Sequence, residues 1–141
     1  MRAAQLDAPV VTTIKRDLWR KLLGNVSLNP VSALTRLTIT PILQDPGTRE
    51  LVATLMRETV RVAAATGVDV EISIEERIKF ASRLVNVKTS MLQDVEARRP
   101  LELDPIVGAV VELAGEFGVS APTVQAVYAL ANALQRSYLE A

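Results

Sequence analysis

Cysteine and histidine are both absent from this chain of 141 residues. Without cysteine there is no disulfide framework and no thiolate site, and a reducing cytoplasm is the expected compartment. Without histidine the sequence cannot supply a Ser-His triad, an imidazole base or a His-ligated metal site. We therefore expect no metal, and any acid–base chemistry within this sequence falls to Lys, Glu, Asp or Tyr.

Paired glycines, excess basic charge and long apolar runs are lacking as well. The six glycines include no Gly-x-Gly pair, which excludes a dinucleotide fingerprint and a Walker loop. Lys+Arg and Asp+Glu both number 16, so the chain lacks the basic excess typical of nucleic-acid binding. The apolar runs are too short to span a membrane, and residues 1–10 carry no secretory signal pattern. We expect neither a nucleic-acid partner nor a membrane partner.

Small aliphatic residues dominate the composition. Hydrophobic residues make up 49% of the chain and aromatic residues only 4%, which is typical of helices packed through Ala, Leu and Val. The length fits one domain that can bury a real core. Apolar residues at helical spacing predict a single all-α domain over residues 12–141, preceded by an irregular leader at residues 1–11.

Helix ends are predicted from caps and breakers. A first helix is expected from Thr12 or Thr13 to about Leu28, because Pro30 lacks an N–H and clashes with the preceding turn. Asn29 and Pro30 then predict the N-cap and first residue of a second helix over 30–37. Another predicted helix starts at a Ser73–Glu76 capping box and ends near Val87. A helix is also predicted over residues 90–98, and a later one has Asp104 as its N-cap and ends at Phe117. The last predicted helix starts at Pro122.

Three polar residues recur at four-residue intervals inside an apolar run: Lys21, Asn25 and Asn29. On a helix this spacing aligns an ammonium and two carboxamides along one stripe, with a drift of about 40° per step. One cation and two amides on the same face suit a small oxygen-rich anion with a reactive carbonyl. We call these three residues the polar ladder.

The polar ladder, in the context Lys21-x3-Asn25-x3-Asn29-Pro30, resembles the catalytic helix of the ketopantoate reductase (2-dehydropantoate 2-reductase) family. A second segment resembles that family's Ser…Asp…Arg…Glu-Ile-Asp…Gly stretch, with the same intervals: Ser90-Met-Leu-Gln-Asp94-x4-Arg99-x2-Glu102-Leu-Asp104-x-Ile106-x-Gly108. Together the matches extend over roughly residues 17–122. Two separate motifs in the right order make the joint resemblance specific.

The resemblance implies a fold and an activity. Family members begin with a Rossmann domain that binds NADPH, followed by a helical domain related to the C-terminal domain of 6-phosphogluconate dehydrogenase. This chain resembles the helical part alone. The resemblance therefore implies that this chain is the substrate-binding and proton-donating domain of an NADPH-dependent oxidoreductase of pantothenate biosynthesis, which acts on a small 2-oxo acid. Such a domain is inactive unless a Rossmann domain is supplied in cis or in trans.

The resemblance also implies a role for each matched residue. Lys21 would polarise the ketone and protonate the developing alkoxide. Asn25 and Asn29 would bind the substrate's hydroxyl and carboxylate, and Ser90 would donate a hydrogen bond to the carboxylate. Glu102 would contact the nicotinamide end of the cofactor and hold Lys21 protonated. The structural alternatives are a solvated lysine, a surface amide at Asn25, N-caps at Asn29 and Ser90, and a surface acid at Glu102.

The sequence departs from the family pattern at two positions, and it also allows an alternative function. The sequence has Ile39 and Leu101 where the family pattern has Asn and Thr, which predicts a 2-oxo acid more apolar than ketopantoate. The alternative function is a non-catalytic helical interaction module that has kept the fold. Such a module would cover its exposed apolar interface by forming a homodimer.

Overall fold

The computed structural model describes residues 8–141, and within that range it contains helices and no strand. This confirms the predicted all-α class. The helices are α1 (Ala8–Thr35), α2 (Ile39–Gln44), α3 (Pro46–Ala65), α4 (Ile74–Ala81), α5 (Ser90–Glu96), α6 (Ala109–Glu116) and α7 (Pro122–Leu139), with a π-helix (Asp104–Gly108) before α6.

Helix α1 is the longest element and organises the core. It packs against α3, α5, α7 and the π-helix. Its residues Leu23, Val26 and Val31 are at most 1% exposed. Because several elements pack against α1, its backbone is well positioned to present side chains on the faces that they leave uncovered.

Helix α1 continues through Pro30, so the predicted helix end at Leu28 and the second helix at 30–37 are wrong. Asn29 is an interior residue of α1 and not an N-cap. The missing N–H of Pro30 leaves the Val26 carbonyl without its intrahelical donor, a defect that costs about 3 kcal/mol in an isolated helix. Pro30 and its neighbours on both sides are buried, and tertiary packing at this point offsets the local cost.

The other helix ends differ from the predictions in smaller ways. Helix α1 begins at Ala8, so residues 8–11 belong to it and not to the predicted leader, while residues 1–7 lie outside the described range. Helix α4 ends at Ala81, well before Val87. Its predicted capping serine is confirmed, since the Glu76 N–H donates to Ser73 Oγ at 3.0 Å.

Helix α5 is capped by Thr89, which corrects the structural alternative that assigned this role to Ser90. The Leu92 N–H donates to Thr89 Oγ1 at 3.1 Å, and Thr89 is only 6% exposed. Ser90 is the first helical residue and its side chain is exposed. The hydroxyl of Ser90 is therefore not needed to start the helix.

Helix α7 is capped by a carboxylate from another helix. Ala121, at the N-cap position, has no side-chain oxygen to offer. The Thr123 and Val124 N–H groups instead donate to the two carboxylate oxygens of Glu58 on α3, at 3.1 Å and 2.8 Å. Glu58 is 3% exposed. A buried anion at a helix N-terminus accepts hydrogen bonds from two backbone N–H groups that have no intrahelical partner, and its charge interacts favourably with the helix dipole.

The predicted N-cap at Asp104 is also wrong. Asp104 is the first residue of the π-helix and makes no side-chain cap bond there. Its carboxylate accepts a hydrogen bond from the Tyr128 hydroxyl on α7. Gly108 fits beneath the same ring, because a Cβ at that position would lie 3.0 Å from Tyr128 Oη. The contact ties the π-helix to α7.

Candidate active site

The polar ladder lies on one uninterrupted helix. Lys21, Asn25 and Asn29 occupy the same side of α1, since residues four apart on an α-helix fall one above the other. Lys21 is exposed, Asn25 is half-buried and Asn29 is 8% exposed. The ladder therefore descends from the surface towards the core.

The second motif lies on elements that contact the ladder helix. Ser90 opens α5, which packs against α1, and Glu102 precedes the π-helix, which also contacts α1. Both side chains are exposed. Among residues 8–141 no ion pair joins Glu102 to Lys21, so the charge pairing of these two groups stays a prediction. The roles assigned to Lys21, Asn25, Asn29, Ser90 and Glu102 also require that all five frame one pocket, and this too stays a prediction.

Lys21 lines a surface depression of about 440 Å³. The other lining residues are Arg20, Ile72, Glu76, Arg77 and Phe80. Three cations and one carboxylate give this depression a positive charge, while Ile72 and Phe80 supply an apolar wall. A small organic anion is the kind of ligand that such a surface attracts.

Arg20 fixes one edge of this depression. Its Nε donates to the Val70 carbonyl at 2.8 Å, and its Nη2 donates to the Glu71 carbonyl at 2.9 Å. These bonds tie α1 to the segment that leads into α4. Since both acceptors are neutral carbonyls, the positive charge of Arg20 is not cancelled there.

Arg77 on α4 lies against the ladder helix, a contact that the sequence analysis missed. A Cβ built on Gly24 would lie 2.5 Å from Arg77 Nη2, so the guanidinium occupies space that only glycine leaves open. The guanidinium carbon also lies 5.4 Å from the centre of the Phe80 ring. Burial lowers the pKa of Arg77 from its ordinary value. The only sequence signal was a glycine within the ladder helix.

The two departures from the family pattern lie away from this depression. Ile39 is 4% exposed and Leu101 is 8% exposed, and both belong to the hydrophobic core. Neither lines the depression that contains Lys21. They therefore bear on core packing, and the structure adds no support from them for a more apolar substrate.

Neither a metal-ligating cluster nor a membrane-spanning helix is found within residues 8–141. Residues 8–141 hold no cluster of three or more His, Cys, Asp or Glu side chains able to ligate a metal ion. None of the helices in that range combines the length and the apolar character needed to cross a bilayer.

Comparison with known proteins points to one family. Residues 13–135 match the family described as "Ketopantoate reductase PanE/ApbA C terminal". A 2-dehydropantoate 2-reductase of Mesorhizobium japonicum is 45% identical over 134 residues, which are 95% of this chain and 41% of that protein. The chain thus spans about two fifths of this relative's length.

Solved structures agree with that assignment. The 2-dehydropantoate 2-reductase of Methylococcus capsulatus superposes with a TM-score of 0.83 at 32% identity, over 89% of this chain and 44% of that one. A ketopantoate reductase of Staphylococcus aureus, described as dimeric, gives 0.80 at 29% identity, over 89% and 44% of the two chains. In each case the match is to less than half of the larger protein.

Proposed function

Because the chain belongs to the family of ketopantoate reductase C-terminal domains, we propose that it binds the substrate and donates the proton in an NADPH-dependent 2-oxo-acid reductase. The observation that carries this proposal is the polar ladder. A lysine and two amides share one face of α1, and the lysine borders a positively charged depression.

Lys21 is the proposed proton donor. Its ammonium lies at the surface, where it can approach the oxygen of a 2-oxo group. Reduction places negative charge on that oxygen, so an ammonium there stabilises the transition state more than the ground state, and it then transfers its proton. Asn25 and Asn29 bind the substrate's hydroxyl and carboxylate, and Ser90 donates to the carboxylate.

NADPH, when bound, supplies the hydride to the carbonyl carbon. Glu102 is the residue of this chain that we assign to its nicotinamide end, and the exposure of Glu102 leaves it accessible to a cofactor. The remaining cofactor contacts must come from a Rossmann domain, since this sequence has no Gly-x-Gly motif. The chain by itself is therefore expected to be inactive.

An interaction module is the second candidate function. Ile14 and Leu18 on the first half of α1 are 49% and 62% exposed, which suits a surface that another domain or a second copy covers. The reductase from Staphylococcus aureus is described as dimeric. A homodimer and a cytoplasmic location are part of the proposal for this chain as well.

The test is a fusion of this chain to the Rossmann domain of the Mesorhizobium japonicum reductase. NADPH oxidation is followed at 340 nm with ketopantoate and with other 2-oxo acids. We expect turnover by the fusion and none by the chain alone. Lys21→Ala should lower kcat by about 100-fold or more, because it removes the donor to the developing oxyanion.

Lys15→Ala is the matched control, since Lys15 is an exposed lysine on the same helix. It should leave kcat unchanged. Circular dichroism should show that both variants keep their helical content. A folded, active fusion in which Lys21→Ala is as active as Lys15→Ala would contradict the catalytic proposal and favour the interaction module.

A further inference from the structure

The guanidinium of Arg77 is held in place without a charged partner. It lies between the backbone of α1 at Gly24 and the ring of Phe80, and it is half-buried. Within residues 8–141 its side chain takes part in no ion pair and no hydrogen bond. Moving a cation out of water without pairing it is unfavourable, and burial correspondingly lowers the pKa of Arg77. A ligand with a carboxylate would relieve that cost.

Of the polar ladder, only Lys21 lines the depression that also contains Arg77. The α1 residues in its wall are Arg20 and Lys21, whereas Asn25 and Asn29 do not line it. A substrate whose 2-oxo group lies at Lys21 and whose first carboxylate lies at the amides would direct its remaining carbons into this depression. The far end of the substrate would therefore meet Arg77.

The charge and shape of the depression limit what that far end can be. Arg20, Lys21 and Arg77 outnumber the single acid Glu76, which is exposed. A volume of about 440 Å³ accommodates a short carbon chain. The planar guanidinium, backed by an aromatic ring, matches a carboxylate in a two-point hydrogen bond.

We propose that Arg77 binds a second carboxylate, so that the substrate of this reductase domain is a 2-oxo dicarboxylic acid. Arg77 is then the residue that determines specificity, and Lys21 remains the proton donor. This inference rests on the proposed function, because it places the 2-oxo group at Lys21. It adds the substrate class and replaces the hydroxyl contact proposed above, because Asn25 and Asn29 then both bind the first carboxylate.

The first test is a binding titration of the full chain by ¹H–¹⁵N NMR. The two probes are 2-oxoglutarate and 2-oxopentanoate, which have the same carbon chain and differ at its end in a carboxylate or a methyl group. We expect the dicarboxylate to bind about tenfold or more tightly, the usual effect of one hydrogen-bonded charge pair. Arg77→Gln should abolish this preference.

Two further variants separate binding from folding. Gly24→Ala keeps the charge of Arg77 but displaces its guanidinium, so it should also lower the preference while α1 remains helical. Arg83→Gln removes an exposed arginine that does not line the depression, so it should leave the preference unchanged. Equal binding of both probes to the wild-type chain, or an undiminished preference in Arg77→Gln, would overturn the inference.

The second test measures kcat/KM for both probes in the fused reductase. Arg77→Gln should lower the ratio of dicarboxylate to monocarboxylate by about tenfold, mainly through KM. A raised KM for NADPH with an unchanged ratio would overturn the inference, because Arg77 would then serve a cofactor phosphate. Lys21-dependent turnover with no role for Arg77 refutes only the substrate class. Arg77-dependent binding without turnover refutes the reductase function.

Discussion

The cap that Glu58 provides to α7 predicts a large cost for a single-atom change. In Glu58→Gln one oxygen remains to accept an N–H, but the new amide group presents hydrogens to the other backbone donor. Either the partly buried Thr123 N–H or the buried Val124 N–H is then left without an acceptor. Because glutamine has nearly the same volume as glutamate, no cavity contributes to the result.

The magnitude follows from three contributions. The loss of one hydrogen bond to a charged acceptor costs about 1.5–3 kcal/mol. The loss of the negative charge at the helix N-terminus costs up to about 2 kcal/mol in a buried setting. Removal of a buried carboxylate's desolvation penalty acts in the opposite direction. We expect a net decrease of about 2 kcal/mol in the free energy of unfolding, or roughly 7 °C in Tm for a domain of this length.

The assay is urea unfolding followed by circular dichroism at 222 nm, with hydrogen exchange at the first turn of α7. Glu112→Gln is the control, because Glu112 is an exposed acid on α6 and its replacement should cost less than about 0.5 kcal/mol. The amides of Thr123 and Val124 should exchange faster in Glu58→Gln. A loss of stability no larger than that of the control would refute the assignment of Glu58 as the cap of α7.

Two further predictions concern a helix cap and the tyrosines. Thr89→Ala should lower the free energy of unfolding by about 1 kcal/mol because the buried cap of α5 is lost, whereas Ser90→Ala should change it by less than about 0.5 kcal/mol; urea unfolding with the reverse order would contradict the assignment of the cap. The pKa of Tyr128 is raised by its hydrogen bond to Asp104 and that of Tyr138 by burial, so absorbance at 295 nm should rise at higher pH in the folded chain than in urea. Because the pKa values in the folded chain are the higher ones, the contribution of the two tyrosines to the free energy of unfolding is complete below about pH 10 and is lost as the pH rises through the folded pKa values. Coincident titration curves for the folded and the urea-unfolded chain would disprove this prediction.

The two motifs could be located from the sequence, but the elements that pack against the ladder helix could not. The interval between Lys21, Asn25 and Asn29 fixes a shared face on any helix that includes all three. Ser90 opens α5 and Glu102 precedes the π-helix, and only the fold shows that these two elements pack against α1. A pocket shared by these residues and the ladder stays a prediction. Arg77 was not predicted as a site residue, because a single arginine forms no sequence motif and its contact with Gly24 exists only in the folded chain.

The sequence by itself determined the helical class, the absence of a Gly-x-Gly motif and the polar ladder. These depend on composition and on local periodicity, which act over a few residues. It also determined the Ser73 cap, whose donor lies three positions further along. Tertiary structure decided whether α1 continues through Pro30, which carboxylate caps α7 and what Asp104 binds. In each case, contacts between residues distant in sequence outweigh the local preference of the segment.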